Sequence, residues 1–211
     1  MKILGMDLSG KEENPTGLCI FDEHNLDFLT EFTDDDILDL INKLRPSLIV
    51  IDAPLSLPKG RCCLEKNCKC AIGGHFRQAE RDIRKFGSVL PLTFYGMKML
   101  TLRGIKLANE LKKNYKVLES HPHTTQKILE FKDPVSCLKE FFSISPNATE
   151  HELDAGILAL TGWLYEKNCC IKLGDLDEGI ILIPNSVKCL EIIKEVIDKH
   201  KIIKIRLNLK K

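Results

Sequence analysis

Residues 48–58 read LIVIDAPLSLP, and they constrain the fold more than any other stretch of the chain. Leu48 to Ile51 form a continuous apolar run, the pattern of a strand buried on both faces. The run ends in Asp52, and Pro54 cannot donate a ladder hydrogen bond, so the strand must stop there. A central strand therefore carries a carboxylate to the edge of a sheet. The N-terminus repeats the design: KILGMD is a short apolar run ending in Asp7, followed by a turn-prone stretch from Ser9 to Gly17.

The remaining elements follow from periodicity. TGLCIFD and LDFLTEF read as two strands separated by turn residues, giving a three-strand meander with KILGMD. Thr33 caps a helix whose first turn holds Asp34 to Asp36 and whose apolar face is Ile37, Leu38, Ile41 and Leu44; Pro46 stops it. The three aspartates read as helix-start electrostatics. A helix between strands implies a right-handed crossover to a parallel neighbour, which is the LIVID strand. Helices are expected from Phe76 to Phe86 and Phe94 to Lys113, then a strand YKVLES and a short helix HTTQKILEF. An amphipathic helix TEHELDAGILALTGWLYEK, a strand GIILIP and a helix from Ser186 to Lys199 complete the chain. The class is α/β with a mixed sheet, in one domain without internal repeats.

Composition excludes some functions. The chain has 211 residues, 44% hydrophobic and 29% charged, with no apolar run of the eighteen or so residues a membrane span needs. MKILGMDLSG reaches Asp7 too early for a signal peptide, so a cytoplasmic protein is expected. Nine cysteines, an odd number, point to metal ligands or redox thiols rather than a disulfide framework. Residues 1–60 are rich in acid and residues 61–132 in base, which suits a cation-attracting pocket beside a phosphate-tracking surface. Aromatics are only 6%, and no basic–aromatic pattern for stacking single-stranded bases is present.

Ligands of open α/β sheets gather outside the carboxyl ends of parallel strands. If the first and fourth strands are neighbours, Asp7 and Asp52 project from one edge about 4.8 Å apart. Carboxylates that close repel, and Mg²⁺ or Mn²⁺ with hard oxygen ligands relieves the repulsion. In the helix near residue 150, Thr149 and Glu152 form a capping box and Leu153, Ile157, Leu160 and Leu164 a core stripe. Asp154 belongs to neither. It either complements the helix dipole or joins the acids, with His151 on its face.

GMDLSG on the first strand, a second acid ending a later strand, and HELDAGILALTG together resemble the ribonuclease H-like superfamily, in its RuvC-like branch. IDAPLSLP, FRQAERDIR, LESHPH, HELDAGILAL and GDLDEGIILIP more closely resemble domain-of-unknown-function family 429, predicted nucleases of that fold. The resemblance covers roughly residues 1–184, with a Cys-rich loop at about 53–75; residues 185–211 extend the same domain. It implies a five-stranded mixed sheet in the order 3-2-1-4-5 with helices on both faces. It further implies metal binding by Asp7, Asp52 and Asp154 and two-metal phosphodiester hydrolysis. Glu119 is then a fourth ligand or a base behind the ligands, or else a strand-end acid contacting the turn SHPH. His151 would orient a water or shuttle a proton.

Arg77, Arg81 and Arg84 recur at helical spacing, either as a basic stripe that grips phosphates or as a solvated face paired with Glu80 and Asp82. Cys62, Cys63, Cys68 and Cys70, with His75 nearby, depart from the family pattern and from the common C-x₂-C knuckles. They bind a structural Zn²⁺ that staples the loop as a lid, form disulfides, or stay as thiols. Cys169 and Cys170 are placed at a helix end, buried or inert.

Nucleic acid is the expected partner. Two other classes share the fold: a non-catalytic binding or assembly module, and a small-nucleotide phosphohydrolase or ATP-binding actin-like relative, since GMDLSG also resembles the phosphate-binding turn of actin-like ATPases. The basic tail IIKIRLNL reads as an unpaired edge strand that docks on the domain or pairs two subunits.

Overall fold

Strand β1 (Lys2–Asp7) alternates as a strand covered on both faces must: Ile3 and Gly5 face one helical layer, and Leu4 and Met6 the other. In this computed structural model, residues 1–193 are described except 23, 24, 70, 143, 145, 146, 187 and 190, and for 71, 137, 140 and 141 the backbone alone. β2 (Thr16–Asp22) pairs antiparallel with β1, and β3 (Asn25–Glu31) continues the meander. Helix α1 (Asp34–Leu44) then crosses to β4 (Leu48–Asp52), which lies parallel to β1, and β5 (Val117–Glu119) lies parallel to β4. The order β3-β2-β1-β4-β5 is that of a ribonuclease H-like sheet, as expected.

Two cores sandwich the sheet. On one face α6 (Glu150–Glu166) lies across β1, β2 and β4, packing against Ile3, Leu48 and Val50. Helices α4 (Pro122–Ile128) and α5 (Pro134–Phe141) cover α6 from outside. On the other face Leu4, Met6, Ile49 and Ile51 meet Ile37 and Ile41 of α1 and Leu107 and Leu111 of α3 (Tyr95–Leu111). Each such side chain, fully buried, contributes about 1.5–3 kcal/mol.

Local signals place the helix starts. Thr33 accepts from Asp36 N–H at 3.1 Å, and Thr149 and Glu152 form the expected reciprocal capping box on α6. Asp34 does more than complement a dipole. It is buried and accepts from Arg103 Nε at 2.8 Å and Lys106 Nζ at 2.9 Å, tying α1 to α3. Burial pushes its carboxyl up, but these two cations hold it below its ordinary value.

Several elements differ from expectation. α6 is buried all round from Ala155 to Gly162 rather than along one stripe, because α4 and α5 cover its outer side. α5 occupies a stretch assigned no element, and α2 (Gln78–Ile83) is shorter than the helix expected from Phe76 to Phe86. α6 ends at Glu166, so Cys170 opens a strand, β6 (Cys170–Asp175), which pairs with β7 (Gly179–Pro184) in a hairpin. One bridge, Ser120 to Leu182, links this hairpin to the end of β5. The described residues of 186–193 are helical; the rest of the expected C-terminal helix and the basic tail lie outside the described residues. No helix among the described residues is long and apolar enough to cross a membrane.

The seat of α6 depends on glycine. A Cβ on Gly5 would lie 1.9 Å from the Ala155 carbonyl oxygen, and one on Gly17 2.2 Å from the His151 carbonyl oxygen. Backbone meets backbone there, so no rotamer change relieves the clash. Gly5→Ala is expected to destabilise by about 1–3 kcal/mol in urea denaturation. Gly87→Ala, where nothing lies within 4 Å, is expected to change stability little.

Candidate active site

Asp7 and Asp52 end β1 and β4 and are register partners across the parallel ladder. Paired residues share a face, so both carboxylates follow Ile3, Leu48 and Val50 onto the side covered by α6. Gly17, the partner of Asp7 on β2, seats the first turn of α6 at this edge. That turn brings His151 to Asp7, with Nδ1 and Oδ2 2.6 Å apart, and carries Asp154 one turn further in. The three expected aspartates and His151 therefore meet at one edge of the sheet.

Their electrostatics record the crowding. Burial, then the charges of Asp7, Asp154 and Glu119, push Asp52 well above the ordinary carboxylate range. Asp154 is raised to about 6, by burial first and Asp7 second. Asp7 is raised by burial, which outweighs the opposing effect of His151. Three hard oxygen donors, all disfavoured as anions by burial and two of them also by a carboxylate of the trio, match a divalent cation in kind. Their oxygens do not all lie within 4.8 Å of one another; among the described residues, the groups that meet that spacing are two sets of cysteines.

Glu119 does not join the aspartates. It pairs in register with Ile51, not Asp52, and so belongs to the opposite face of the sheet. Its oxygens are taken by Arg77 Nη1 at 2.9 Å, by Arg77 Nη2 and by the Leu55 N–H at 2.9 Å. Burial raises its carboxyl, against the lowering effect of Arg77. Arg77 in turn is fully buried and also bonds Glu80 and Ser56, which takes it out of the expected surface stripe. The physical reason is that α2 begins at Gln78, leaving Arg77 in extended backbone (φ −72°, ψ 170°) instead of on a helical face. Arg81 and Arg84 are exposed, with the Arg84 guanidinium 4.0 Å from the Phe76 ring centroid.

Two histidines that sequence reasoning left without a role stand at the same edge. His121 caps α4, accepting from Thr124 N–H at 3.2 Å, and burial, then His123, lower its pKa to about 4. His123 acts on both Asp7 and Asp154, lowering their carboxyls. The signal was the turn SHPH directly after the strand-end Glu119. A cavity of about 240 Å³ is lined by Asp52, Glu80, Glu119 and His121 together with apolar side chains such as Met97 and Leu100. It adjoins a second space of about 400 Å³ lined by His121, His123, Lys127 and Phe131.

In the loop between β4 and α2, the sulfurs of Cys62, Cys63 and Cys68 lie within 4.8 Å of one another, while Cys70 lies outside the described residues. His75 is not part of that group, and its Nδ1 lies 2.8 Å from Thr93 Oγ1. Cys169, Cys170 and Cys189 form the second sulfur group, with Cys169 and Cys189 joined in a disulfide. Comparison with models of known families finds no match, and comparison with curated proteins finds none. A similar solved structure is T. thermophilus RuvC in complex with Holliday junction substrate. The likeness has a TM-score of 0.49 and 14% identity, covering 80% of this chain and 96% of that one. A likeness of that size carries no inference about activity.

Replacing Arg77 with Met would strand Glu119 and Glu80 as buried carboxylates, and is expected to destabilise by about 3–5 kcal/mol in chemical denaturation. Asp154 has the opposite sign. With a folded pKa raised to about 6, it binds its proton more tightly folded than unfolded, so its contribution to stability falls as pH rises from its ordinary value through 6. Metal-free D154N is expected to exceed the parent at pH 7 by about 1 kcal/mol, discounted for solvent, or roughly 2–4 °C in melting temperature. The difference should vanish near pH 4, which melting curves across that range would check.

Proposed function

We propose that this chain is a metal-dependent nuclease of the ribonuclease H-like class, akin to domain-of-unknown-function family 429 and acting in the cytoplasm on nucleic acid. The observation that carries the reading is the convergence of Asp7 and Asp52, in register on parallel strands, with Asp154 and His151 from the helix above them. Asp7, Asp52 and Asp154 are the residues that would hold Mg²⁺ or Mn²⁺, two ions in the full form of the mechanism. Bound there, such ions lower the pKa of an attacking water and steady the leaving oxygen of a phosphodiester.

The chain's own groups divide the remaining work. Asp7 accepts from His151 Nδ1 and so orients the ring, leaving Nε2 to position a water or move a proton at the scissile phosphate. The His121 imidazole, its pKa lowered to about 4, lines the same cavity as Asp52 and is uncharged at neutral pH. Arg81 and Arg84, both exposed on or after α2, supply the phosphate contacts that Arg77 cannot. Arg77 instead acts as an internal strut that fixes Glu119 and, through Ser56 and Leu55, the backbone just after Asp52.

A second reading is favoured by the cavity beside Asp52. The cavity of about 240 Å³ and the adjoining space of about 400 Å³ together offer room for a single nucleotide beside Asp52, which would make the chain a small-nucleotide phosphohydrolase. A panel of single-stranded, double-stranded and branched DNA, RNA and free nucleotides, assayed with Mn²⁺ and with Mg²⁺, separates the two. Cleavage of polymers that is abolished in D7N, D52N and D154N is the expected result, with H151A retaining activity reduced about 10–100-fold. Turnover of nucleotides alone selects the second reading. No turnover together with no calorimetric Mn²⁺ binding overturns both, in favour of a non-catalytic module.

A further inference from the structure

We propose that Cys62, Cys63 and Cys68 bind one zinc-type divalent ion that staples the loop joining β4 to α2. The site is independent of the aspartates and of the nuclease reading. The described residues of 53–77 have almost no regular structure beyond one turn of 3-10 helix at Ala71–Gly73, and a loop of that length is usually either functional or tied by something other than secondary structure. Three sulfurs drawn within 4.8 Å of one another supply the tie. A turn closed by Cys68 N–H on the Glu65 carbonyl at 3.4 Å reverses the chain and returns Cys68 to the Cys62–Cys63 pair.

The backbone around the thiols is braced from inside. Arg61 is buried and donates to the carbonyl oxygens of Cys63 at 2.9 Å, Glu65 at 2.7 Å and Gly74 at 2.6 Å. One guanidinium thus holds the thiol-bearing strand of the loop and its exit in a single arrangement, the kind of support that metal sites need. Leu64, between the cysteines, is buried and anchors the segment to the domain. These three thiols are exposed or half-buried, so an ion from solution can reach them.

The second sulfur group lacks these properties. Cys169 and Cys189 are buried and bonded to each other, and burial pushes the Cys170 thiol up to about 12. It is the built-in comparison. Soft sulfur donors select Zn²⁺ over Mg²⁺ or Mn²⁺, so the two proposed sites take different ions from one solution. Three thiolates leave one position of a tetrahedral ion for a further donor. The loop they close runs from Asp52 to Arg77, so the ion would hold the segment whose far end clamps Glu119.

The test is metal content of the full chain, prepared reduced and with zinc supplied, by elemental analysis and by Co²⁺ substitution. About one equivalent of zinc per chain is expected, with the sulfur-to-cobalt charge-transfer band and intense visible bands of tetrahedral thiolate coordination in the Co²⁺ form. C62S and C68S should each lose most of the metal, and C170S should keep it. Removal of the zinc should speed trypsin cleavage at Lys66 and Lys69 in the parent. Because Cys62 is exposed, C62S is expected to fold, and the cobalt spectrum of the parent reports sulfur ligation without any variant. Overturning results are less than about 0.1 equivalent of zinc, a cobalt spectrum without sulfur bands, or metal lost in C170S and retained in C62S and C68S. A disulfide among the loop cysteines with no bound metal would also overturn it.

Discussion

The contact between helix α6 and the sheet sets the geometry of everything at the candidate site. Gly5 and Gly17 expose bare backbone on β1 and β2, and the backbone of α6 lies against them at Ala155, Ala159 and His151. One turn further on, Gly162 is equally close to Ile3 and Val50. With ordinary side chains at those positions the helix would ride higher, and Asp154 and His151 would leave Asp7. Packing density and the convergence of charge are therefore one requirement, met by removing side chains from the interface.

Buried carboxylates are treated in two ways within a few residues of each other. Glu119 and Glu80 share the Arg77 guanidinium inside the fold, so each has a cationic hydrogen-bond partner there. Asp7 has His151 as a direct partner, while the charges of Asp7 and Asp154 raise Asp52 and that of Asp7 raises Asp154. One set is held by an internal cation and the other is crowded with like charge, which distinguishes a strut from a candidate site. The divalent cation proposed above would do for the aspartates what Arg77 does for the glutamates.

The parts legible in the sequence were those coded by short-range chemistry. The runs ending in Asp7 and Asp52, the Thr33 cap and the Thr149–Glu152 box all stand where local signals put them. Helix α2 misled because the Arg spacing at 77, 81 and 84 fits a helical period, yet Arg77 precedes the helix and turns inward. β6 was hidden because its pattern is largely exposed, with no apolar alternation to read. The all-round burial of α6 needed knowledge of α5, which the sequence reading did not find.

By itself the sequence determined where strands must end and which carboxylates those ends carry, because apolar runs and prolines act on their own neighbours. It equally determined that four thiols fall within one short loop. The tertiary structure alone decided partnership: that Asp52 faces α6 while Glu119 faces the other side, that Arg77 is a buried strut, and that the charge of His123 acts on Asp7 and Asp154. Strand register sets which face a side chain takes, and register is a property of two strands together, so no single stretch of sequence contains it.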